Sequence, residues 1–235
     1  MLVIDGSLSD VGDDRTVTER LTTVTEKSGE PTVRVWTPPR QIAFGRRDST
    51  AEGYPKARRI AADNGYEPVE RGVGGNAVAY TGETVAFAVS MPIGDGRGGI
   101  ETRYGRTKAT LLEALETTGA SVTDGEPDRS FCPGEHSLQG DGKITGIAQR
   151  VRQNSALVGG CVIVSKRDEK AVSDVLEPVY GALGEPFDPG SVGSVETAGG
   201  PEVPGLVIES IEKAFVDGSE TSKIPATEVL DEAMK

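Results

Sequence analysis

Few residues in this chain are equipped for covalent chemistry, and three of them share one stretch. "FCPGEHSLQGDGKITGIAQR", Phe131 to Arg150, holds Cys132, the sole histidine His136, and Lys143. A cysteine thiolate is a nucleophile toward acyl carbonyls, so the set suits a site that handles an acyl group. Cys132 sits among Pro, Gly, Asp and Glu, a polar and accessible setting; an unreactive loop thiol is the plain alternative. Lys143 follows Asp141-Gly142, a pair favoured in tight hairpin turns, so its amine is carried by a rigid bend. Beyond it, Gly146 and Ala148 are small and leave space on a strand for a ligand or for a close backbone. His136 stands four residues from Cys132 and suggests a Cys–His dyad. In a loop that spacing fixes no geometry, and a partly exposed loop histidine is expected instead. Cys161, inside "ALVGGCVIV", reads as a small buried hydrophobe.

A second stretch, "VERGVGGNAVAY" from Val69 to Tyr80, is rich in glycine behind an arginine. Such glycines let backbone N–H groups converge on an anion, and Arg71 at the mouth can clamp a carboxylate or phosphate. A dinucleotide fingerprint would require a helix directly after the glycines. Here "AVAYTGETVAFAVS" follows, which alternates and contains its own turn, so that reading is rejected. A plain glycine-rich hairpin is the remaining rival. Arg46 and Arg47 offer either a ligand contact or surface ion pairs.

The elements that must position these groups follow from periodicity. Arg15 to Lys27 has a helical pattern around Leu21 and Val24. "TVRVW" alternates as a strand before Pro38 and Pro39, and "RQIAFGRR" is a second strand. "GYPKARRIAADNG" reads as a short helix stopped at Asn64-Gly65. "NAVAYTGETVAFAVSMP" reads as strand, Thr81-Gly82 turn and strand. Ile100 to Thr118 places Leu111, Leu112 and Leu115 on one helical face. "SLQGDGKITGIAQRV" and "SALVGGCVIVS" are hairpin-forming strands. "EKAVSDVLEPVYGALG" is a helix interrupted near Pro178. The expected fold is α+β, with mixed, largely antiparallel sheets and flanking helices, in one domain spanning residues 1–235. Residues 184–235 read as a helical tail after a Gly/Pro-rich connector.

Composition narrows the function further. The net charge is −12, from 37 acidic against 25 basic residues, nine of them lysine and sixteen arginine. Such a surface repels nucleic-acid phosphates and anionic lipid. It suits a protein adapted to high salt, where screening relieves self-repulsion. Two distant cysteines argue against a disulfide framework and a structural metal site. "LVIDGSLSDVGDD" lacks the features of a signal peptide, and no apolar run is long enough to span a membrane, so a cytoplasmic location is expected.

Taken in order and spacing, "WTPPRQIAFGRRDS", "VERGVGGNAVAY" and "GDGKITGIAQR" resemble the catalytic domain of the lipoate–protein ligases and octanoyltransferases, over about Val33 to Val164. The fold implied is that of the biotin/lipoate protein ligases. "FCPGEHSLQGDGK" looks like the amidotransferase branch, in which a cysteine before Pro-Gly holds the acyl group as a thioester. Asn76 stands where ligases show a third glycine, and Tyr80 where they show a histidine.

The resemblance implies an enzyme attaching a lipoyl or octanoyl group to a specific lysine of lipoyl domains, in 2-oxoacid dehydrogenase complexes and the glycine cleavage H protein. Lys143 and Cys132 would be catalytic, with Lys143 beside the acyl carbonyl to stabilise its oxyanion. Arg71, Gly74, Gly75, Asn76, Ala77, Gly146 and Ala148 would line the pocket. A ligase route would use ATP and magnesium with free lipoate or octanoate; a cysteine-transferase route would need no cofactor. Some members work with a separate accessory chain. The rival class is a non-catalytic acyl-binding or accessory subunit.

Overall fold

The computed structural model describes residues 1–72, 75–94 and 99–231. Its strands are β1 (Leu2–Asp5), β2 (Thr32–Trp36), β3 (Gln41–Phe44), β4 (Glu67–Glu70), β5 (Val78–Tyr80), β6 (Val85–Pro92), β7 (Thr123–Asp124), β8 (Ser137–Gly140), β9 (Gly142–Val151), β10 (Ser155–Val162) and β11 (Ser222–Pro225). The helices are α1 (Val11–Ser28), α2 (Tyr54–Asp63), α3 (Ile100–Thr117), α4 (Lys166–Leu183), α5 (Pro204–Val216) and α6 (Ala226–Asp231). Eight strands form one sheet in the order β11-β1-β2-β6-β10-β9-β8-β7, and three form a second in the order β4-β3-β5. The large sheet is parallel from β11 to β2 and antiparallel from there to β7. The architecture is the mixed α+β one expected.

Alternation along β6 shows how the large sheet is covered. Val85, Phe87 and Val89 face one core with Leu111 and Leu115 of α3 and Val207 and Ile211 of α5. Ala86 and Ala88 face the other side, toward Val17 and Leu21 of α1 and Trp36. A third core fills the space among the small sheet, α2 and α4, through Ile42, Phe44, Val175, Val179 and Tyr180.

The helices begin and end where their sequences dictate. Asp10 caps α1, accepting the Asp13 N–H at 2.9 Å, and Gly29 closes it at φ 72°. Ser165 and Asp168 form a reciprocal capping box at the start of α4. The expected interruption at Pro178 is absent: α4 runs unbroken through it. Pro178 and Asp174, the residue whose carbonyl loses a donor, are both exposed, so water can serve that carbonyl.

β5 and β6 lie on either side of the Thr81-Gly82 turn, as read, and belong to different sheets. The stretch after residue 184 is not only helical, because β11 docks in parallel on β1 at the edge of the large sheet. No helix among the described residues is long and apolar enough to cross a membrane.

Candidate active site

A trough of small residues forms the floor of the site. Cross-strand register places Ala88, Gly159 and Ala148 side by side on β6, β10 and β9, and Ala86, Cys161 and Gly146 two residues further along on the same face. Missing side-chain volume at these positions leaves two adjoining cavities against the sheet. One, of about 190 Å³, is lined by Trp36, Tyr80, Leu157 and the Ala86, Ala88, Ala148 and Gly159 part of the trough, with Arg15, Arg150 and Arg152 also on its walls. The other, of about 220 Å³, holds Cys132, Lys143, His136, Gly75 and Gly146. Arg71, Tyr80, Ala148, Gly159 and Gly160 line both.

Trp36 is fixed from behind. Its indole N–H donates to Asp14 Oδ2 at 2.9 Å, and Arg34 donates to Asp14 Oδ1 at 2.5 Å while stacking over the indole at 4.2 Å. Arg34 is fully buried, and its remaining donors are taken by Gly6 O, Asp14 O and Thr18 Oγ1. A buried pair with every donor satisfied holds its neighbours in one geometry.

Cys132 lies on the loop from β7 to β8. Its φ is 41°, a left-handed conformation that side-chain-bearing residues rarely adopt. Its sulfur lies 3.0 Å from Arg71 Nη2, and the same nitrogen donates to Asn76 O at 2.7 Å. Arg71 Nε is buried with no acceptor among the described residues. A guanidinium so placed is ready to balance a thiolate, and it keeps a donor for an arriving oxygen. Gly75, at φ 90°, is the close neighbour: a Cβ there would fall 2.6 Å from Cys132 Sγ.

Lys143 lies beside Cys132, and its ammonium is fully partnered. It is fully buried, and its Nζ already has four acceptors: Glu126 Oε1 at 2.9 Å, Glu126 Oε2 at 3.0 Å, Phe131 O at 2.9 Å and Cys132 O at 3.0 Å. An ammonium has three N–H donors, so in this geometry none is left for an oxyanion. Lys143 ties down the backbone on either side of the Phe131–Cys132 peptide. Burial holds its pKa below the usual lysine value, against the opposing pull of Glu126. Ser130 Oγ also donates to Glu126.

The other predicted residues divide. Arg71, Gly75, Gly146 and Ala148 meet Cys132 and Lys143 at the cavities. Asn76 and Ala77 line neither cavity. The Asn76 amide donates to Asp48 Oδ1 at 3.2 Å, and the Ala77 carbonyl accepts from Tyr180 Oη at 2.9 Å. Both brace the glycine segment from outside, because Asp48 also accepts the Gly45 N–H at 2.8 Å. Gly74 lies outside the described residues. His136 stacks on Tyr104, with centroids 3.6 Å apart, and the partner of the Cys132 sulfur is Arg71. Cys161 is buried, and burial pushes its thiol up to about 12. Arg46 and Arg47 are exposed.

Sequence reasoning missed Glu126, Asp48 and Tyr180. Tyr180 carried a signal, a polar tip within the apolar stripe of Val175, Val179 and Leu183. Glu126 sits in an acid-rich loop, and Asp48 directly follows Arg46 and Arg47, where an exposed ion pair is the ordinary reading.

An arginine-paired thiol stands beside a small-residue trough, on a mixed sheet backed by helices. The chain belongs to the lipoyl protein ligase A/B catalytic domain family, whose match runs over residues 14–202. It is 29% identical over 130 residues to the octanoyl-GcvH:protein N-octanoyltransferase of Geobacillus kaustophilus, covering 55% of this chain and 46% of that protein. It is 26% identical over 156 residues to the lipoyl-GcvH:protein N-lipoyltransferase of Listeria monocytogenes, covering 66% and 55%. The chain thus spans about half the length of the curated relatives it matches. A solved lipoate-protein ligase A bound with ATP shares the fold, with a TM-score of 0.73 at 16% identity, over 98% of this chain and 92% of that one.

Proposed function

We propose that this chain transfers an octanoyl or lipoyl group to a specific lysine of a carrier domain through a thioester on Cys132. The observation that carries the reading is the Cys132 sulfur, 3.0 Å from Arg71 Nη2, in a cavity that adjoins the small-residue trough. The transferases among the relatives support it. The thiolate attacks the carbonyl of an acyl amide or thioester; the Cys132–acyl bond forms and the donor's amine or thiol leaves with a proton. The carrier lysine, as free amine, then attacks the thioester, forming the amide and returning the thiolate as the lysine nitrogen sheds a proton. Arg71 balances the thiolate at each end of the cycle, and its guanidinium, 3.0 Å from the sulfur at Nη2, is a donor placed for the oxyanion. Lys143 and Glu126 hold the loop in place.

Lipoyl domains and H proteins are the carriers this chemistry calls for. Arg15, Arg150 and Arg152 around the apolar cavity, in a chain of net charge −12, favour a carrier that presents acidic side chains. In a ligase route ATP would be a second substrate, with Arg71 the group fit to hold its phosphate. For a magnesium ion, the described residues offer no group of three or more His, Cys, Asp or Glu.

The test is acyl transfer to a purified apo lipoyl domain, followed by intact mass, from an octanoylated H protein and separately from free octanoate with ATP. Cys132 is expected to gain one octanoyl group without ATP, and Cys132→Ser to lose both adduct and transfer. Full activity of Cys132→Ser with ATP and free octanoate would replace the thioester by an adenylate. A binding-only chain would acylate nothing under either condition.

A further inference from the structure

We infer that Tyr180, on the far helix α4, is the positioning residue that sets the nucleophile. This rests on Cys132 being the acyl-carrying group. The Tyr180 hydroxyl accepts the Cys132 N–H at 2.6 Å and donates to the Ala77 carbonyl at 2.9 Å. One buried oxygen therefore joins the cysteine loop to the glycine segment. These two segments come from different parts of the chain, and the sulfur–arginine contact requires both in register.

Three features make this more than a satisfied core tyrosine. First, Cys132 has φ 41°, and a residue with a side chain stays there only when its surroundings enforce it. The Cys132 peptide groups are held on both sides, by Tyr180 Oη at the N–H and Lys143 Nζ at the carbonyl. Second, the Tyr180 ring is itself immobilised. It is buried to 1% exposure among Val179, Val175 and Leu183, with the Phe187 ring 5.1 Å away. Third, the hydroxyl stays protonated, because burial raises its pKa well above the ordinary tyrosine value, so the O–H bond to Ala77 persists across the working range. The Cys132 N–H is thereby committed to Tyr180, and the oxyanion must find its donor elsewhere, consistent with Arg71.

The test uses the full chain and two readouts: the alkylation rate of Cys132 by iodoacetamide, followed by peptide mass, and the steady-state split for octanoyl transfer. Tyr180→Phe removes one oxygen and keeps the ring. It is expected to slow alkylation and kcat by about tenfold or more, since small misplacement of a nucleophile is costly, with KM for the acyl donor little changed. Val207→Ala, a truncation in the separate core under α5, is the control for general loosening and is expected to alkylate at the wild-type rate. Wild-type alkylation in Tyr180→Phe, or an equal slowing in Val207→Ala, overturns the inference. Alkylation needs no acyl donor, so failure of the transfer reaction alone would count against the acyl-enzyme and not against Tyr180.

Discussion

Gly75→Ala is the substitution that most directly probes how closely the glycine segment approaches the sulfur. The added Cβ would lie 2.6 Å from Cys132 Sγ and 2.9 Å from Arg71 Nη2, so the sulfur must retreat by about 1 Å and the guanidinium by about 0.5 Å to regain ordinary contact. A shift of that size at a reacting centre costs about 100-fold in rate. Gly75 also has φ 90°, where alanine is strained by about 1–2 kcal/mol. At about 2–4 °C per kcal/mol for a chain of this size, the melting temperature should fall by about 2–8 °C. Gly65→Ala separates the two effects, because Gly65 has φ 75° with nothing within 4 Å of its Cβ position. The assay is Cys132 acylation by an octanoyl thioester, read by intact mass over time, alongside thermal melting. Gly65→Ala should melt lower and acylate normally; Gly75→Ala should melt lower and acylate about 100-fold more slowly. Wild-type acylation in Gly75→Ala, or equal slowing in both, would refute the reasoning.

Glu126→Gln should destabilise the fold by about 1–3 kcal/mol in urea titrations, because a buried ammonium loses its charged partner; an unchanged unfolding midpoint would count against the pair. Lys143 gives a pH signature of fixed sign. Its folded pKa is lowered by burial, so between that value and the unfolded one near ~10.4 the folded state binds fewer protons. The stability of the wild type relative to Lys143→Met should therefore rise as pH climbs through that window, and a falling difference would show the sign to be wrong. The double variant Arg150→Glu, Arg152→Glu should lower kcat/KM for an acidic carrier by about tenfold at low salt and flatten its salt dependence; a salt slope equal to wild type would remove the rim from carrier recognition.

Local periodicity made most elements readable. The helices containing Leu21 and Leu111, and the strands around Asp141-Gly142, carry their own signals within a dozen residues. The strands that went unread are short and defined by distant partners: Leu2–Asp5 pairs with Ser222–Pro225, at the opposite end of the sequence. No local pattern reports such a pairing. The same distinction holds in the site. Cys132, Lys143, Arg71 and Gly75 were legible because chemistry or backbone freedom marks them. Glu126, Asp48 and Tyr180 act through contacts made only after folding. The partners of Lys143 are hidden for the same reason: nothing local reveals that Glu126 and two carbonyls accept from its ammonium.

Cys132 rides on a loop of the large sheet, whereas Arg71 and Gly75 are carried by the segment joining two strands of the small one. Competence therefore depends on how two separately built slabs are seated, not on the integrity of either. Gentle heat or mild denaturant should silence this protein while its circular dichroism still reads as native.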